Sequence, residues 1–233
     1  MLCTHRFHRT APAALAVLFF LCPLPWLYAQ GKPSDPETLH FLFAAGAQSV
    51  KQENSKPVPV ETHTVLNSGD RIKFFLEPKS EAYFYLFHLG PNNELALLYP
   101  PDFKKSAEPP GQPFYVPEGP MWYELDATGG TEKFFFLASK SRLAELENLY
   151  ARHAALKNPS GVHPSTQAVL DEISRLNKHR RSLAAPAEKP VRIAGKFRAS
   201  SKKNPAALPD ITSFAKEITS QGFYSKTFTI DHR

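Results

Sequence analysis

The stretch YFYLFHLG, Tyr83 to Gly90, decides how this chain is read. Its length and aromatic content suit a β-strand, in which successive side chains point to opposite faces. One face then carries Tyr83, Tyr85, Phe87 and Leu89, the other Phe84, Leu86 and His88, and neither is a polar face. Fully burying one large apolar side chain contributes roughly 1.5 to 3 kcal/mol, so a sheet of such strands has to be covered on both sides. RIKFFLEP (71–78) and EKFFFLAS (132–139) share the same character, which makes it the property of a sheet and not of one segment. We therefore expect 83–89 to be a central strand buried on both faces. Wide exposure of Phe84 and Leu86, or of Tyr85 and Phe87, would mark a binding face instead.

Further apolar runs, LHFLFAAG, VPVETHTV, ELALLYP, PFYVPEG and MWYEL, surround these strands. Between them lie turn sequences: Asn67-Ser68-Gly69-Asp70, Pro78-Lys79-Ser80, Gly90-Pro91-Asn92-Asn93, Pro117-Glu118-Gly119-Pro120 and Thr128-Gly129-Gly130. This spacing predicts a mainly antiparallel β-sandwich, Ig-like or an open barrel, over 36–139. A sandwich covers only the inner face of each sheet. From Ser139 the period changes: Leu143, Leu146, Tyr150 and His153 fit one helical face, and Val169, Ile173 and Leu176 another, with Ser165 placed to cap the second helix. An amphipathic helical hairpin from Ser141 to Arg181 is the natural lid, giving an α+β fold. Beyond it we expect a linker (183–190), a strand (191–198), a charged loop (199–210), a short helix over ITSFAKEITSQG ended by Gly222, and a C-terminal strand, FYSKTFTIDH. Residues 140–233 are expected to join the same globular unit.

The N-terminus has the layout of a secretory signal: Arg6 and Arg9, an apolar run from Ala11 to Leu21, then Leu27-Tyr28-Ala29. The run is shorter than the ~20 apolar residues a membrane span takes, so cleavage after Ala29 is favoured over a single-pass anchor. The protein is thus expected to be exported, periplasmic or secreted. Both cysteines, Cys3 and Cys22, fall within residues 1–29. The exported part then has no thiol for a disulfide, a nucleophile or a soft-metal site. Residues 30–138 hold 9 basic and 14 acidic side chains, whereas 139–233 hold 17 basic and 8 acidic. Either the halves attract each other within one domain, or the basic half meets an anionic partner.

The segment NSGDRIKFFLEPKSEAYFYLFHLGPNNELALLYP resembles the start of the bacterial domain-of-unknown-function family numbered 4384. In that family a "sGD" turn precedes a strand, a "Y-x-Y" strand follows, and a hairpin leads to "L-[FY]-P". Gly69 and Asp70, Tyr83 and Tyr85, and Leu98, Tyr99 and Pro100 occupy those positions. PFYVPEG and EKFFFLAS resemble later elements of such domains, and the likeness runs from about Leu39 to Ser139. It implies an architecture and an exported context, and no activity. Such domains also occur beside signalling or protease modules in larger proteins.

Chemistry is sparsely signalled. His40, His63, His88, His153, His163, His179 and His232 show no metal-ligand spacing, and neither a Gly-rich phosphate loop before a helix nor a Gly-x-Ser-x-Gly elbow is present. His88 reads as a donor to an acceptor at the sheet edge, and His232 as a frayed terminal residue. No metal or cofactor is expected, and no catalytic residue is nominated. The aromatics Tyr99, Phe103, Tyr115 and Trp122 flank the proline-rich segment 100–112 and are the candidate ligand-binding residues, with core anchoring as the alternative. The reading that follows is an exported, non-enzymatic envelope module that binds a protein or cell-surface component. A hydrolase acting on an envelope polymer and an anionic-surface binder using the basic half are the alternatives. No nucleic-acid partner is expected, and membrane contact is expected only through the cleaved signal or weak electrostatics.

Overall fold

The computed structural model describes residues 37–51, 56–156, 163–179, 186–190 and 210–233, and its strands form two sheets. In the first, β1 (Thr38–Gln48) pairs antiparallel with β4 (Arg71–Pro78), from Phe41 opposite Pro78 to Gln48 opposite Arg71. The other edge of β1 takes β11 (Lys216–Gln221) and, further along, β2 (Val58–Pro59). Strand β10 (Ala187–Pro190) flanks β11, while β7 (Phe114–Val116) and β8 (Tyr123–Glu124) share the far side of β4. The second sheet runs β3 (Thr64–Leu66), β12 (Phe223–His232), β9 (Gly130–Ser139), β5 (Tyr83–Leu89), β6 (Leu95–Tyr99). All its pairs are antiparallel except β3 with β12. One compact unit spans Asp35–Arg233.

Phenylalanines fill the space between the sheets. Phe136 of β9 lies 4.3 Å from the ring of Phe43 on β1, 6.1 Å from Phe84 on β5 and 5.8 Å from Phe41. Offset and edge-to-face contacts of this kind add about 0.5 to 1.5 kcal/mol each beyond burial. The expected two-faced strand is present. Phe84 and Leu86 point into this core at 3% and 2% exposure, while Tyr85 and Phe87 lie on the outer face at 1% and 0%. β5 is not the middle of its sheet, because β6 is its edge neighbour.

The helical hairpin covers that outer face. In α1 (Ala144–Ala154) and α2 (Pro164–His179), Leu146, Val169, Ile173 and Leu176 pack with Leu143 against Tyr85, Phe87, Leu89 and Leu137. Tyr85 anchors the lid: its hydroxyl donates to Glu147 Oε1 at 2.6 Å and accepts from the Leu143 N–H at 3.2 Å, where α1 begins without a side-chain cap. Arg142 completes the charge on Glu147 at 2.7 Å. α1 also closes the free edge of β6. Leu97 N–H donates to the Tyr150 hydroxyl at 2.8 Å, and His153 Nε2 donates to Leu95 O at 3.3 Å, so groups that would invite another strand are occupied.

Several expectations are corrected. Ser165 does not cap α2; it lies inside the first turn, its hydroxyl between His153 Nδ1 (2.9 Å) and His163 Nδ1 (2.6 Å). The short helix over 211–222 is absent. A single 3₁₀ turn, Thr212–Phe214, is followed by strand β11, in which buried Ile218 and Ser220 alternate with Glu217 and Thr219. Pairing with the edge of β1 and the β-branched Ile218 and Thr219 outweigh a weak helical pattern. The 183–190 linker ends in β10. The strand at 191–198, the loop at 199–209, Arg180, Arg181 and residues 1–29 lie outside the described residues.

The first sheet has its own cover, which the sequence did not announce. Ile211 and Ala215 bury Leu42, Ala44 and Phe75 on its outer face, with Phe214 alongside. Close approach requires Gly46, whose added Cβ would stand 2.6 Å from Ile211 Cγ2. At Gly222, with φ +65, the chain leaves β11 in one sheet and enters β12 in the other.

The lid contact gives a direct test. Tyr85→Phe should lower unfolding stability by about 1 to 3 kcal/mol, because it leaves the buried Glu147 carboxylate one donor short. Urea titration of the variant measures this, with Tyr83→Phe on the same face as control.

Candidate functional site

The structure separates the four aromatic candidates into two pairs, one holding segment 100–112 and one around Lys73 on the outer face of the first sheet. Tyr99 closes β6 and is buried; its hydroxyl donates to Glu108 and accepts from Lys105 Nζ at 2.7 Å, and its ring stacks on Phe114 at 5.0 Å. Phe103, half-buried, packs between Tyr85 (6.4 Å) and Tyr150 (6.0 Å). Together they fix the proline-rich segment 100–112, helped by the Lys105–Glu108 ion pair at 2.7 Å, the Ala82–Glu108 bridge and Arg142, which donates to Phe103 O. The Tyr99–Pro100 bond is cis. Burial, then Glu108, pushes the Tyr99 hydroxyl far above the usual phenol range. Beneath this segment Tyr83, Tyr85, Pro100, Ser106 and Glu147 line a cavity of about 10 Å³. That is space for one water, whereas small-molecule sites are typically ~300 to 1,000 Å³.

Tyr115 and Trp122 lie instead around Lys73 on the outer side of β4. Lys73 is fully buried, and its ammonium donates to Gly119 O at 2.7 Å and Met121 O at 2.5 Å. It also stands over the rings of Tyr115 (5.4 Å) and Trp122 (5.7 Å). Two carbonyls and two π-faces replace its water shell. This cluster ties the 117–121 turn down onto the sheet.

A second polar cluster closes one end of the core. Glu132, at 3% exposure, occupies an inward position of β9, two residues before Phe134. His88 of β5 donates from Nε2 to Glu132 Oε2 at 2.5 Å, and His232 of β12 donates from Nδ1 to Glu132 Oε1 at 3.2 Å. His232 is not frayed, since its side chain is 0% exposed. His88 finds the acceptor it was expected to have, but across an interior strand pair and not at the sheet edge. On the far side of His232, Nε2 lies 3.1 Å from Ser68 Oγ in the Asn67–Asp70 turn. That turn has Gly69 at φ +85 and an Asp70 N–H bond to Asn67 O, the type II arrangement that needs glycine third. Burial pushes the Asp70 carboxyl up, but donors from Asn67, Ser49 and Val50 outweigh it and hold the group below its ordinary value. Among the described residues no three His, Cys, Asp or Glu side chains are placed to hold a metal.

Sequence reasoning passed over Lys73, Glu132 and the burial of His232. Parity was the available signal: Glu132 shares its face with Phe134 and Phe136, so period-two alternation alone sends a carboxylate inward.

Burial pulls the Lys73 ammonium down to about 8. An unfolded chain keeps that proton up to about pH 10.4, so between pH 8 and 10 the unfolded state binds more protons and stability rises with pH. Lys73→Met should abolish this rise. The difference between wild-type and variant urea-unfolding stabilities is expected to shift by on the order of 2 kcal/mol from pH 7 to 10, in favour of the wild type.

No curated protein and no solved structure matches the chain. A family model matches residues 65–142, a narrower span than the resemblance from Leu39, running from β3 through β9 to the approach to α1. The matching model is that of a domain of unknown function (DUF4384), and the matched stretch includes the Gly69–Asp70 turn, the Tyr83–Tyr85 strand and Tyr99–Pro100 at the end of β6.

Proposed function

We propose that this protein is an exported module of the bacterial envelope that binds a protein or cell-surface component through the face built on segment 100–112. The observation that carries this reading is the way the segment is held. It is mostly exposed, yet Tyr99, Phe103, Lys105, Glu108 and Arg142 fix it on both sides. A surface ordered before contact binds at lower entropic cost, and an exposed proline-rich strip over a water-sized cavity suits a macromolecular partner better than a small ligand. Export is supported by the basic and apolar pattern of the first 29 residues.

Affinity capture from an envelope extract tests both halves of the proposal. Wild-type protein is expected to recover a specific partner. Lys104→Glu with Gln112→Arg, two exposed positions, should lose it with melting temperature unchanged. Undiminished capture by that variant would move the binding face elsewhere, and repeated empty captures by the wild type would end the binding reading.

A further inference from the structure

Ser68, His232 and Glu132 come from the β3–β4 turn, β12 and β9, and they meet in one hydrogen-bonded line. Ser68 Oγ lies 3.1 Å from His232 Nε2, and His232 Nδ1 lies 3.2 Å from Glu132 Oε1. His88 Nε2 holds the other carboxylate oxygen at 2.5 Å. A carboxylate only accepts, so the histidine nitrogens that face it carry the hydrogens. In its neutral form His232 is then left with the Nε2 lone pair pointing at the serine hydroxyl. This is the tautomer a general base requires. His232 and Glu132 have side chains 0% and 4% exposed, so packing fixes the ring, whereas Ser68 is exposed and open to a reactant from solvent.

We propose that Ser68 is a nucleophile toward carboxylic esters, with His232 as its general base and Glu132 as the positioning residue behind it. Ser68 Oγ bonds to the ester carbonyl carbon while its proton passes to His232 Nε2. The tetrahedral intermediate expels the alcohol, which leaves with that proton. A water, deprotonated by the same nitrogen, then releases the acid, and the proton returns to Ser68 Oγ. Donors for the oxyanion do not come from the turn itself. The N–H groups of Ser68, Gly69 and Asp70 are bound to Arg233 O, Leu125 O and Asn67 O. What remains is base activation, worth about 10²- to 10⁴-fold, which suits esters with a good leaving group.

The full chain is incubated with 4-nitrophenyl acetate, following 4-nitrophenolate release and locating acetyl groups by mass spectrometry. Acetyl on Ser68 is expected, with protein-dependent hydrolysis reduced at least about ten-fold in a Ser68→Ala variant shown by circular dichroism to be folded. An unchanged rate in Ser68→Ala, or acetyl only on other residues, overturns the proposal. Glu132→Gln removes the charge that favours the imidazolium, so the midpoint of the pH–rate profile should move to lower pH. A folded Glu132→Gln variant with an unmoved midpoint overturns the role given to Glu132.

Discussion

Large apolar side chains occupy both faces of β5 and β9, so the sheet they share needs two separate covers. Phe84, Phe134 and Phe136 are buried by the opposing sheet, and Tyr85, Phe87 and Leu137 by α1 and α2. Each buried ring is worth roughly 1.5 to 3 kcal/mol, several times the contribution of an exposed ion pair, so apolar cover and not surface charge sets the architecture. The first sheet repeats the arrangement on a smaller scale. Phe74 and Leu76 face the common core, while Phe75 faces outward and is covered by the segment around Ile211. The fold is four layers thick where it matters: lid, sheet, sheet and strap.

The charged groups Lys73, Asp70 and Glu132 enter this interior with partners. Lys73 meets two carbonyls and two rings, Asp70 meets backbone donors, and Glu132 meets two imidazoles. An unpaired buried charge would cost several kcal/mol, so each cluster also enforces register. A one-residue slip of β12 against β9 would turn His232 away from Glu132 and send Phe228 to the wrong face. The same satisfaction leaves the Asn67–Asp70 turn stiff, and that stiffness holds Ser68 against His232.

The main layers were legible in the sequence because they rest on side-chain period. Alternation located β4, β5, β9 and β12, and the switch to helical spacing at Ser139 located the lid. What escaped was decided by partners distant in sequence. β11 reads as a helix until the free edge of β1 is placed beside it, and β10 reads as a linker until β11 is in position. His232 near a chain terminus looks frayed unless Glu132, one hundred residues earlier, is known to lie beneath it. The aromatic candidates illustrate the same limit. Tyr99 and Trp122 both flank the proline-rich segment in sequence, yet Tyr99 packs in the core between the sheets and Trp122 on the outer face of the first sheet, and only topology separates them.

The crossing at Gly222 has a consequence for the order of events in folding. Residues 216–232 supply β11 beside β1 in one sheet and β12 between β9 and β3 in the other. Neither is an edge strand, and both partners on the β9 and β1 sides lie far upstream, with pairs such as Thr38–Gln221 spanning most of the chain. Until these residues are available, β9 has one open edge, β1 lacks a neighbour and Phe43, Phe136 and Phe228 have no closed cavity to enter. Loop closure over such separations is slow, and the stabilising contacts come only after it. Both sheets can therefore close only once residues 216–232 are in place.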